Sequence, residues 1–139
     1  MEIENINENN ASQIKQFIQR IPGFEIEEEI LSKVTILKEN DIIKGMISYE
    51  NYVSNGLIRY FIFQKDVAFE DLELLFKEMV KRIKTEGISK IITIIQQDEL
   101  KSFFEKLKFN EIAIDKIYIG EKELRSFLKE PAMAMIYNV

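Results

Sequence analysis

The feature that most constrains the fold of this chain is a strand–helix–strand succession between residues 57 and 95. The segment LIRYFIF alternates in the manner of a β-strand, and the next segment carries apolar residues at helical spacing up to Gly87, a typical helix end. The apolar run ISKIITII then predicts a strand buried on both faces. Because a helical crossover returns the chain in the same direction, the succession predicts a parallel pair in a central sheet. The helical stripe consists of Leu72, Leu75, Phe76, Met79 and Ile83.

The N-terminal part of the chain predicts a short strand and two helices. The segment Glu2–Asn7 alternates weakly and predicts the strand. Asn10 stands three residues before Gln13, a loose capping box for a first helix that Pro22 ends. The segment Glu25–Leu31 predicts a second, shorter helix.

Between these helices and the crossover, the apolar pattern has a period of two residues. The segments KVTILK and IIKGMISYENY flank a turn at Glu39–Asp41, and a second turn at Ser54–Gly56 precedes LIRYFIF. The pattern therefore predicts three consecutive antiparallel strands.

The C-terminal part predicts one more helix and two strands. Asp98 is placed to cap the helix, and the segment EIAIDKIYI then predicts a strand with a bulge at residues 115–116. KELRSFL predicts one or two helical turns that Pro131 ends, and AMAMIYNV predicts the last strand. One side of the helix is expected to carry Leu100, Phe103, Phe104 and Leu107. The whole pattern predicts a single α+β domain over residues 1–139.

Composition removes several classes of function. The chain has 46% hydrophobic and 31% charged residues, which is typical of a globular domain, and its net charge of −5 argues against nucleic acid as a partner. It contains no cysteine and no histidine, which excludes thiolate nucleophiles, Ser-His triads and nearly all zinc enzymes. We expect no metal, and any chemistry must use carboxylates, Tyr, Lys, Ser, backbone amides or a bound reactive group.

Targeting signals are also missing from the sequence. The N-terminus MEIENINENN is acidic and unlike a signal peptide, and no apolar run approaches the roughly 20 residues that span a bilayer. We therefore expect a cytoplasmic protein without a membrane partner.

Four strings of the sequence, in order, resemble one family of enzymes. LKENDIIKGMISYE, with Gly45, resembles a second and third strand, and LELLFKEMVKRIKTEGISKIITI resembles a long third helix and a fifth strand. FFEKLKF, residues 103–109, is similar to the string FYEKLGF, and AMAMIYNV resembles a last strand. The family is that of the GNAT acetyl-CoA-dependent N-acetyltransferases, and the resemblance covers almost the whole chain.

The resemblance implies a fold, a substrate and a reaction. The fold would be α+β, with three layers, about four helices and a mixed, mostly antiparallel sheet in which strands 4 and 5 are parallel and splayed. Acetyl-CoA or another acyl-CoA would bind there as substrate, and the acyl group would pass to an amine of a small molecule or peptide. No metal is implied. Whether the chain is a monomer or a homodimer stays open.

The chain departs from the family at the cofactor loop. The signature Q/R-x-x-G-x-G/A aligns with residues 66–71, and all three of its defining positions differ, being Asp66, Phe69 and Asp71 here. Carboxylates at a helix start stabilise the helix and repel a diphosphate, and Lys65 is the nearby cation expected to offset them. Asp66 is expected to cap the helix, so that a helix start without a ligand is the alternative interpretation. The residues implied to bind the cofactor are Phe61, Phe63, Lys65, Asp66, Val67, Ala68, Phe69, Glu70 and Asp71.

The chain also departs from the family at the catalytic helix. The tyrosine of FYEKLGF, which the resemblance implies as the general acid, is Phe104 here, and its stripe position predicts a core side chain. We therefore name Tyr60 and Glu50 as candidate catalytic residues, with Arg59 or Glu50 orienting the acceptor. Each could equally be a packed or surface residue. Tyr49, Tyr118 and Tyr137 are further tyrosines that could reach a central cleft.

Three functions therefore stay open at this point. The first is an N-acyltransferase, a divergent member of the family with a degenerate cofactor loop and no family-type tyrosine acid. The second is a GNAT-like domain that has lost catalysis and acts as a binding or regulatory module. The third is an unrelated α+β interaction protein. The acceptor and the pathway are not defined by the sequence.

Overall fold

The computed structural model describes residues 1–52, 55–95, 97–113, 118–119, 122–123 and 133–139. Within them the chain forms four helices and nine strands. The helices are α1 (Ala11–Gln19), α2 (Glu28–Leu31), α3 (Phe69–Thr85) and α4 (Glu99–Lys106). The strands are β1 (Glu2–Asn5), β2 (Thr35–Glu39), β3 (Ile42–Tyr52), β4 (Asn55–Phe63), β5 (Lys90–Ile95), β6 (Asn110–Ile112), β7 (Tyr118–Ile119), β8 (Lys122–Glu123) and β9 (Met133–Asn138).

Seven of these strands form one mixed sheet in the order β1-β2-β3-β4-β5-β9-β6. Strands β4 and β5 are parallel, with Asn55, Gly56 and Leu57 opposite Lys90, Ile91 and Ile92. The pairs β1–β2, β2–β3, β5–β9 and β6–β9 are antiparallel. The predicted α+β class, the crossover and the parallel pair are therefore confirmed.

The chain divides into two compact units, residues 1–50 with 59–82 and residues 51–58 with 83–139. In the first unit, α1 and α2 pack through Ile14, Ile18 and Leu31 against Ile36 and Met46 of the strands. The predicted stripe of α3 is buried along its length, because each residue from Leu72 to Ile83 in that stripe is at most 3% exposed. The prediction of a single domain over residues 1–139 stays a prediction.

The β2–β3 hairpin turns through two residues with left-handed backbone conformations. Asn40 has φ 51° and Asp41 has φ 64°, the pair of positive values that a type I′ turn requires. Asn and Asp tolerate this conformation better than most residues, which is why the sequence signal at this turn is correct. The second predicted turn is wrong in part, because Asn55 and Gly56 already belong to β4, while Ser54 lies outside the described residues.

The predicted capping box at α1 is wrong. The Asn10 Oδ1 accepts a hydrogen bond from the Asn7 backbone N at 2.8 Å, and the Gln13 Nε2 donates to the Asp41 carbonyl at 2.5 Å. The helix entry is organised by Asn7, whose Oδ1 accepts from the backbone N of Asn9 at 2.8 Å and of Asn10 at 3.1 Å. Asn7 is therefore better placed than Asn10 to satisfy free N–H groups at this helix start.

Two predictions for the C-terminal part are also corrected. Asp98 occupies the N-cap position of α4 without a side-chain hydrogen bond to the helix, and Leu100 is 37% exposed rather than part of a buried side. Lys122 and Glu123 form strand β8 instead of starting a helix. The predicted bulge at residues 115–116 and the rest of KELRSFL lie outside the described residues. None of the helices described here combines the length and the apolarity needed to cross a membrane.

Candidate functional site

The loop between β4 and α3, residues 64–68, is held to strand β3 by backbone hydrogen bonds. The Gln64 N donates to the Lys44 carbonyl at 2.9 Å, and the Val67 N donates to the Gln64 carbonyl at 3.2 Å. At the helix start, the backbone N atoms of Asp71 and Leu72 both donate to the Ala68 carbonyl, at 3.1 and 3.2 Å. Four amides of the loop and the first helical turn therefore already have partners within the protein.

The first turn of α3 is acidic, as the sequence predicts. Glu70 is exposed, and Asp71 is half-buried in that turn. One turn further on, Glu73 Oε1 lies 3.9 Å from the Lys77 Nζ. Negative side chains here favour the helix and weaken its attraction for an anion.

Lys44 of β3 is the cation that lies at this loop and that sequence reasoning missed. Its Nζ is 3.2 Å from the Gln64 Oε1 and 3.6 Å from the Asp66 Oδ2. Because α3 begins at Phe69, its N-cap position is Ala68 and not Asp66, which corrects the prediction that Asp66 caps this helix. The expectation that Lys65 is the nearby cation is also incomplete, because Lys44 pairs directly with a loop carboxylate while Lys65 is exposed.

Gly45 allows β3 to approach the end of β4 closely enough for this contact. A Cβ atom on Gly45 would lie 3.3 Å from the Phe63 Cβ and 3.4 Å from the Ile62 carbonyl oxygen. Real Cβ atoms rarely lie so close to their neighbours, which favours glycine here. The signal that could have revealed Lys44 is the register of this strand pair, and single-sequence patterning does not define that register.

The aromatic end of β4 leads directly into the loop. The rings of Phe61 and Phe63 are 5.5 Å apart between centroids and meet edge to face, and both side chains are half-buried. Of the residues implied to bind the cofactor, Phe61 and Phe63 lie on β4 and the next four lie in the loop. The last three, Phe69, Glu70 and Asp71, lie within the first turn of α3. These residues are brought together by chain continuity.

The candidate catalytic residues Glu50 and Tyr60 lie near each other through Arg59. Glu50 and Arg59 form an ion pair, and the Arg59 Cζ lies 5.9 Å from the centroid of the Tyr60 ring. The Tyr60 hydroxyl donates to the Glu25 carbonyl at 3.4 Å, and its ring packs edge to face on Phe24 at 4.6 Å. We call Glu50, Arg59 and Tyr60 the polar patch. It offers a carboxylate, a guanidinium and a phenol within one unit.

The other tyrosines differ in their surroundings. Tyr49 is fully buried, with the Lys33 Nζ 5.8 Å from its ring centroid. Tyr137 is half-buried, and its ring centroid is 5.4 Å from that of Phe109. The side chain of Tyr118 lies outside the described residues.

Phe104 is a packed side chain, as its stripe position predicts. It is 5% exposed, and its ring centroid is 5.3 Å from that of Phe103 and 5.2 Å from that of Phe109. The position equivalent to the family tyrosine therefore belongs to an aromatic cluster of the second unit. Among the described residues, no group of three or more His, Cys, Asp or Glu is arranged to hold a metal ion.

Comparison with solved structures identifies the fold. The domain aligns with N-acetylglutamate synthase from Neisseria gonorrhoeae, whose complex holds coenzyme A and N-acetyl-glutamate, at a TM-score of 0.73 and 15% identity over 99% of this chain. The chain spans 34% of that enzyme's length. It also aligns with Rv2747 from Mycobacterium tuberculosis, solved in complex with CoA, at a TM-score of 0.73 and 12% identity over 100% of this chain and 99% of the other.

A third comparison carries the family name. An acetyltransferase of the GNAT family from Staphylococcus aureus Mu50 aligns at a TM-score of 0.71 and 15% identity, over 99% of this chain and 98% of the other. No protein-family model and no curated protein sequence matches the chain. The chain therefore has the fold of the GNAT acetyltransferases, as its resemblance to that family predicts.

Proposed function

We propose that this chain is an N-acyltransferase that moves an acetyl or other acyl group from acyl-CoA to an amine. The observation that carries the proposal is the full-length match to GNAT folds, two of which were solved with coenzyme A. Fold alone does not define an activity, so the proposal also depends on the residues of the candidate site.

The donor would bind along the end of β4 and at the loop that follows. The pantetheine would lie along backbone groups of residues 61–63, and the diphosphate would lie at residues 64–68 and the start of α3. This places all nine implied cofactor residues beside the donor. The acidic first turn opposes the diphosphate, so a cation near the loop would have to compensate for it.

The acceptor would bind at the polar patch as a small-molecule or peptide amine. Its neutral nitrogen attacks the thioester carbonyl carbon, so that a C–N bond forms, the C–S bond breaks and coenzyme A leaves as a thiolate. Glu50 would accept the proton that the nitrogen loses after the C–N bond forms, and Tyr60 would donate its hydroxyl proton to the thiolate. Arg59 would orient the acceptor. Much of the rate would come from positioning the amine against the thioester.

The polar patch must rearrange slightly for this chemistry. In the free protein the Tyr60 hydroxyl donates to the Glu25 carbonyl at 3.4 Å, a long contact that is readily exchanged. Catalytic hydrogen bonds of this kind often shorten only when substrate binds. The geometry of the free protein is therefore compatible with the proposed role of Tyr60.

A binding experiment followed by an activity assay tests the proposal. Acetyl-CoA at 100 times its dissociation constant should raise the free energy of unfolding by about 2.7 kcal/mol, measurable as a thermal shift. Thiol release from acetyl-CoA, measured with amino acids, polyamines and lysine peptides as acceptors, then tests transfer. Absence of any thermal shift at millimolar acetyl-CoA would contradict the proposal.

A module without catalysis is the second candidate, and a specific observation favours it. The first turn of α3 is acidic, and Asp66 forms an ion pair with the cation Lys44. A domain that retains the fold and binds a partner in place of acyl-CoA would need neither a diphosphate site nor a proton donor. A folded protein that neither binds acetyl-CoA nor transfers its acetyl group would support this module.

A further inference from the structure

We propose that Lys44 is the side chain that binds the donor's diphosphate, and that Asp66 is a resident anion that the diphosphate displaces. This inference rests on the proposed function, because it names the residue that makes acyl-CoA binding compatible with an acidic loop. It also assigns a role to a strand residue outside the segment that the family signature covers.

Lys44 lies at the loop where the diphosphate is proposed to bind. Its Nζ lies 3.2 Å from the Gln64 Oε1, and its carbonyl accepts from the Gln64 N at 2.9 Å, so the lysine is tied to the loop at both ends. The close approach at Gly45 keeps β3 and the end of β4 in this register. The ammonium is therefore held over the residues where the diphosphate would bind.

The side chains of Lys44 and Asp66 differ in their exposure to solvent. The Lys44 side chain is 20% exposed, whereas the Asp66 side chain is 68% exposed. An exposed carboxylate loses little when it turns away into water, and exposed ion pairs of this kind are weak and screened by salt. A diphosphate carries more charge than a carboxylate and accepts several charge-assisted hydrogen bonds, so it would replace Asp66 at the ammonium.

Several backbone amides at the loop and the start of α3 already donate hydrogen bonds within the protein. Anion sites at helix starts usually depend on backbone N–H groups that have no partner within the protein. Here the amides of Val67, Asp71 and Leu72 already donate to carbonyls of the loop. A side-chain cation is then the more effective way to neutralise the diphosphate, and Lys44 is a cation that pairs with the loop.

Five proteins and two donors test the inference. Isothermal titration of acetyl-CoA and of S-acetylpantetheine, which lacks the diphosphate, is carried out on the wild type, Lys44→Met, Asp66→Asn, the double variant and Lys65→Met. Lys65→Met is the comparison variant, because it removes the neighbouring exposed cation that the resemblance to the GNAT family implies at the same diphosphate. Far-ultraviolet circular dichroism and thermal unfolding of each variant show that the fold is retained.

The expected pattern depends on both residues. Lys44→Met should weaken the affinity for acetyl-CoA by about tenfold or more, which is the effect of losing one charge-assisted hydrogen bond. The affinity for S-acetylpantetheine should stay unchanged. Asp66→Asn should strengthen acetyl-CoA binding severalfold in the wild-type background and should have little effect on it in the Lys44→Met background. Lys65→Met should weaken acetyl-CoA binding much less than Lys44→Met does.

Each contrary outcome has a separate meaning. If the wild type binds acetyl-CoA and Lys44→Met changes its affinity no more than Lys65→Met, the role of Lys44 is overturned while the proposed function stands. An Asp66→Asn effect of equal size in both backgrounds would overturn the displacement by diphosphate. If the wild type binds neither donor, the proposed function and this inference are both overturned. Should Lys44→Met fail to fold, Lys44→Gln replaces it in the titrations. An Asp66→Asn substitution that weakens acetyl-CoA binding would then also overturn the inference.

Discussion

Gly45 of β3 lies directly against Phe63 of β4, so closely that a Cβ atom on the glycine would be 3.3 Å from the Phe63 Cβ. The Leu75 Cδ2 of α3 would lie 3.7 Å from the same atom. This contact joins three elements that surround the candidate loop. Its tolerance to added atoms is therefore a direct test of the packing.

We predict that Gly45→Val destabilises the protein by about 1–3 kcal/mol, because its branched side chain must displace Phe63 or Leu75 from a close-packed arrangement. Chemical denaturation followed by circular dichroism measures the change. Gly56→Ala is the control, since a Cβ there would meet Ile83 and Ile88 at 3.6 Å, an ordinary contact distance. A Gly45→Val protein as stable as Gly56→Ala would contradict the packing described.

Phe104 provides the second prediction, because introducing the tyrosine of the string FYEKLGF at this position should not create a proton donor. The Phe104 ring is packed between Phe103 and Phe109, so a hydroxyl added to it would be buried. We predict that Phe104→Tyr lowers the free energy of unfolding by about 1–3 kcal/mol, the usual effect of burying a polar group without a partner, and does not raise kcat. Thermal unfolding and thiol release measure the two effects.

The control for this variant is Phe103→Tyr. Phe103 is half-buried on the same helix, so its added hydroxyl can reach water and should be tolerated. An increase in kcat in Phe104→Tyr, with stability unchanged, would show that this helix still faces the reacting groups.

The outcome at Phe104 illustrates which features the sequence predicts well. Apolar spacing identified Phe104, Leu107 and the stripe of α3 as core because burial of periodic apolar residues is the strongest signal in a chain. The turn at residues 39–41 was predicted because turns depend on local residue chemistry, whereas its type was not predicted. The crossover then follows from the order of these elements.

The site was less predictable, because its key contacts depend on strand register and competition between local hydrogen bonds. Lys44 reaches Asp66 only through the pairing of β3 with β4, and no local pattern encodes that contact. At α1, two asparagines could each cap the helix, and the capping rule does not decide between Asn7 and Asn10. Leu100 fits the helical spacing but lies at the first turn of α4, where one side of the helix is exposed.

Asn10 provides a third prediction because it is a buried amide with a full set of partners. It is 1% exposed, its Nδ2 donates to the Glu4 Oε1 at 3.1 Å and to the Asn5 carbonyl at 3.0 Å, and its Oδ1 accepts from the Asn7 N at 2.8 Å. We predict that Asn10→Ala lowers the free energy of unfolding by about 1–3 kcal/mol, because it removes the three hydrogen bonds that this buried amide makes. Urea denaturation measures the loss. The control is Asn9→Ala, an exposed neighbour, which should change stability far less.

The same contacts predict a dependence on pH. The hydrogen bond from the Asn10 amide lowers the pKa of Glu4, and the Lys38 ammonium, whose Nζ is 3.5 Å from the Glu4 Oε1, lowers it further against partial desolvation. A lowered pKa in the folded state means that Glu4 stabilises the protein above its unfolded pKa, about 4.3. This stabilisation is lost as the pH falls through the folded pKa. In Glu4→Gln, the free energy of unfolding should therefore fall less steeply than in the wild type below about pH 4.3. Parallel slopes for the two proteins in urea titrations would contradict it.

The last prediction concerns the polar patch and depends on the proposed transfer. Tyr60→Phe retains the ring that packs on Phe24 and removes only the hydroxyl, so it should keep the fold and lower kcat by about 10²-fold, the lower range for loss of a general acid. Glu50→Gln should lower kcat comparably and flatten the acidic limb of the pH–rate profile, because the amide cannot accept the amine's proton. Affinity for acetyl-CoA, measured by titration, should be unchanged in both variants, since neither residue is placed at the donor loop.

Tyr137→Phe is the matched control for the hydroxyl. Its ring also packs against a phenylalanine, Phe109, at 5.4 Å, and it lies on β9 in the second unit. Its kcat should stay near that of the wild type, because β9 is not where the acceptor is proposed to bind. If Tyr137→Phe lost activity while Tyr60→Phe retained it, the proton donor would have to be reassigned to the second unit. The polar patch would then be an ion pair that supports the sheet, because partly exposed carboxylate–guanidinium contacts such as that of Glu50 and Arg59 also occur without a role in function.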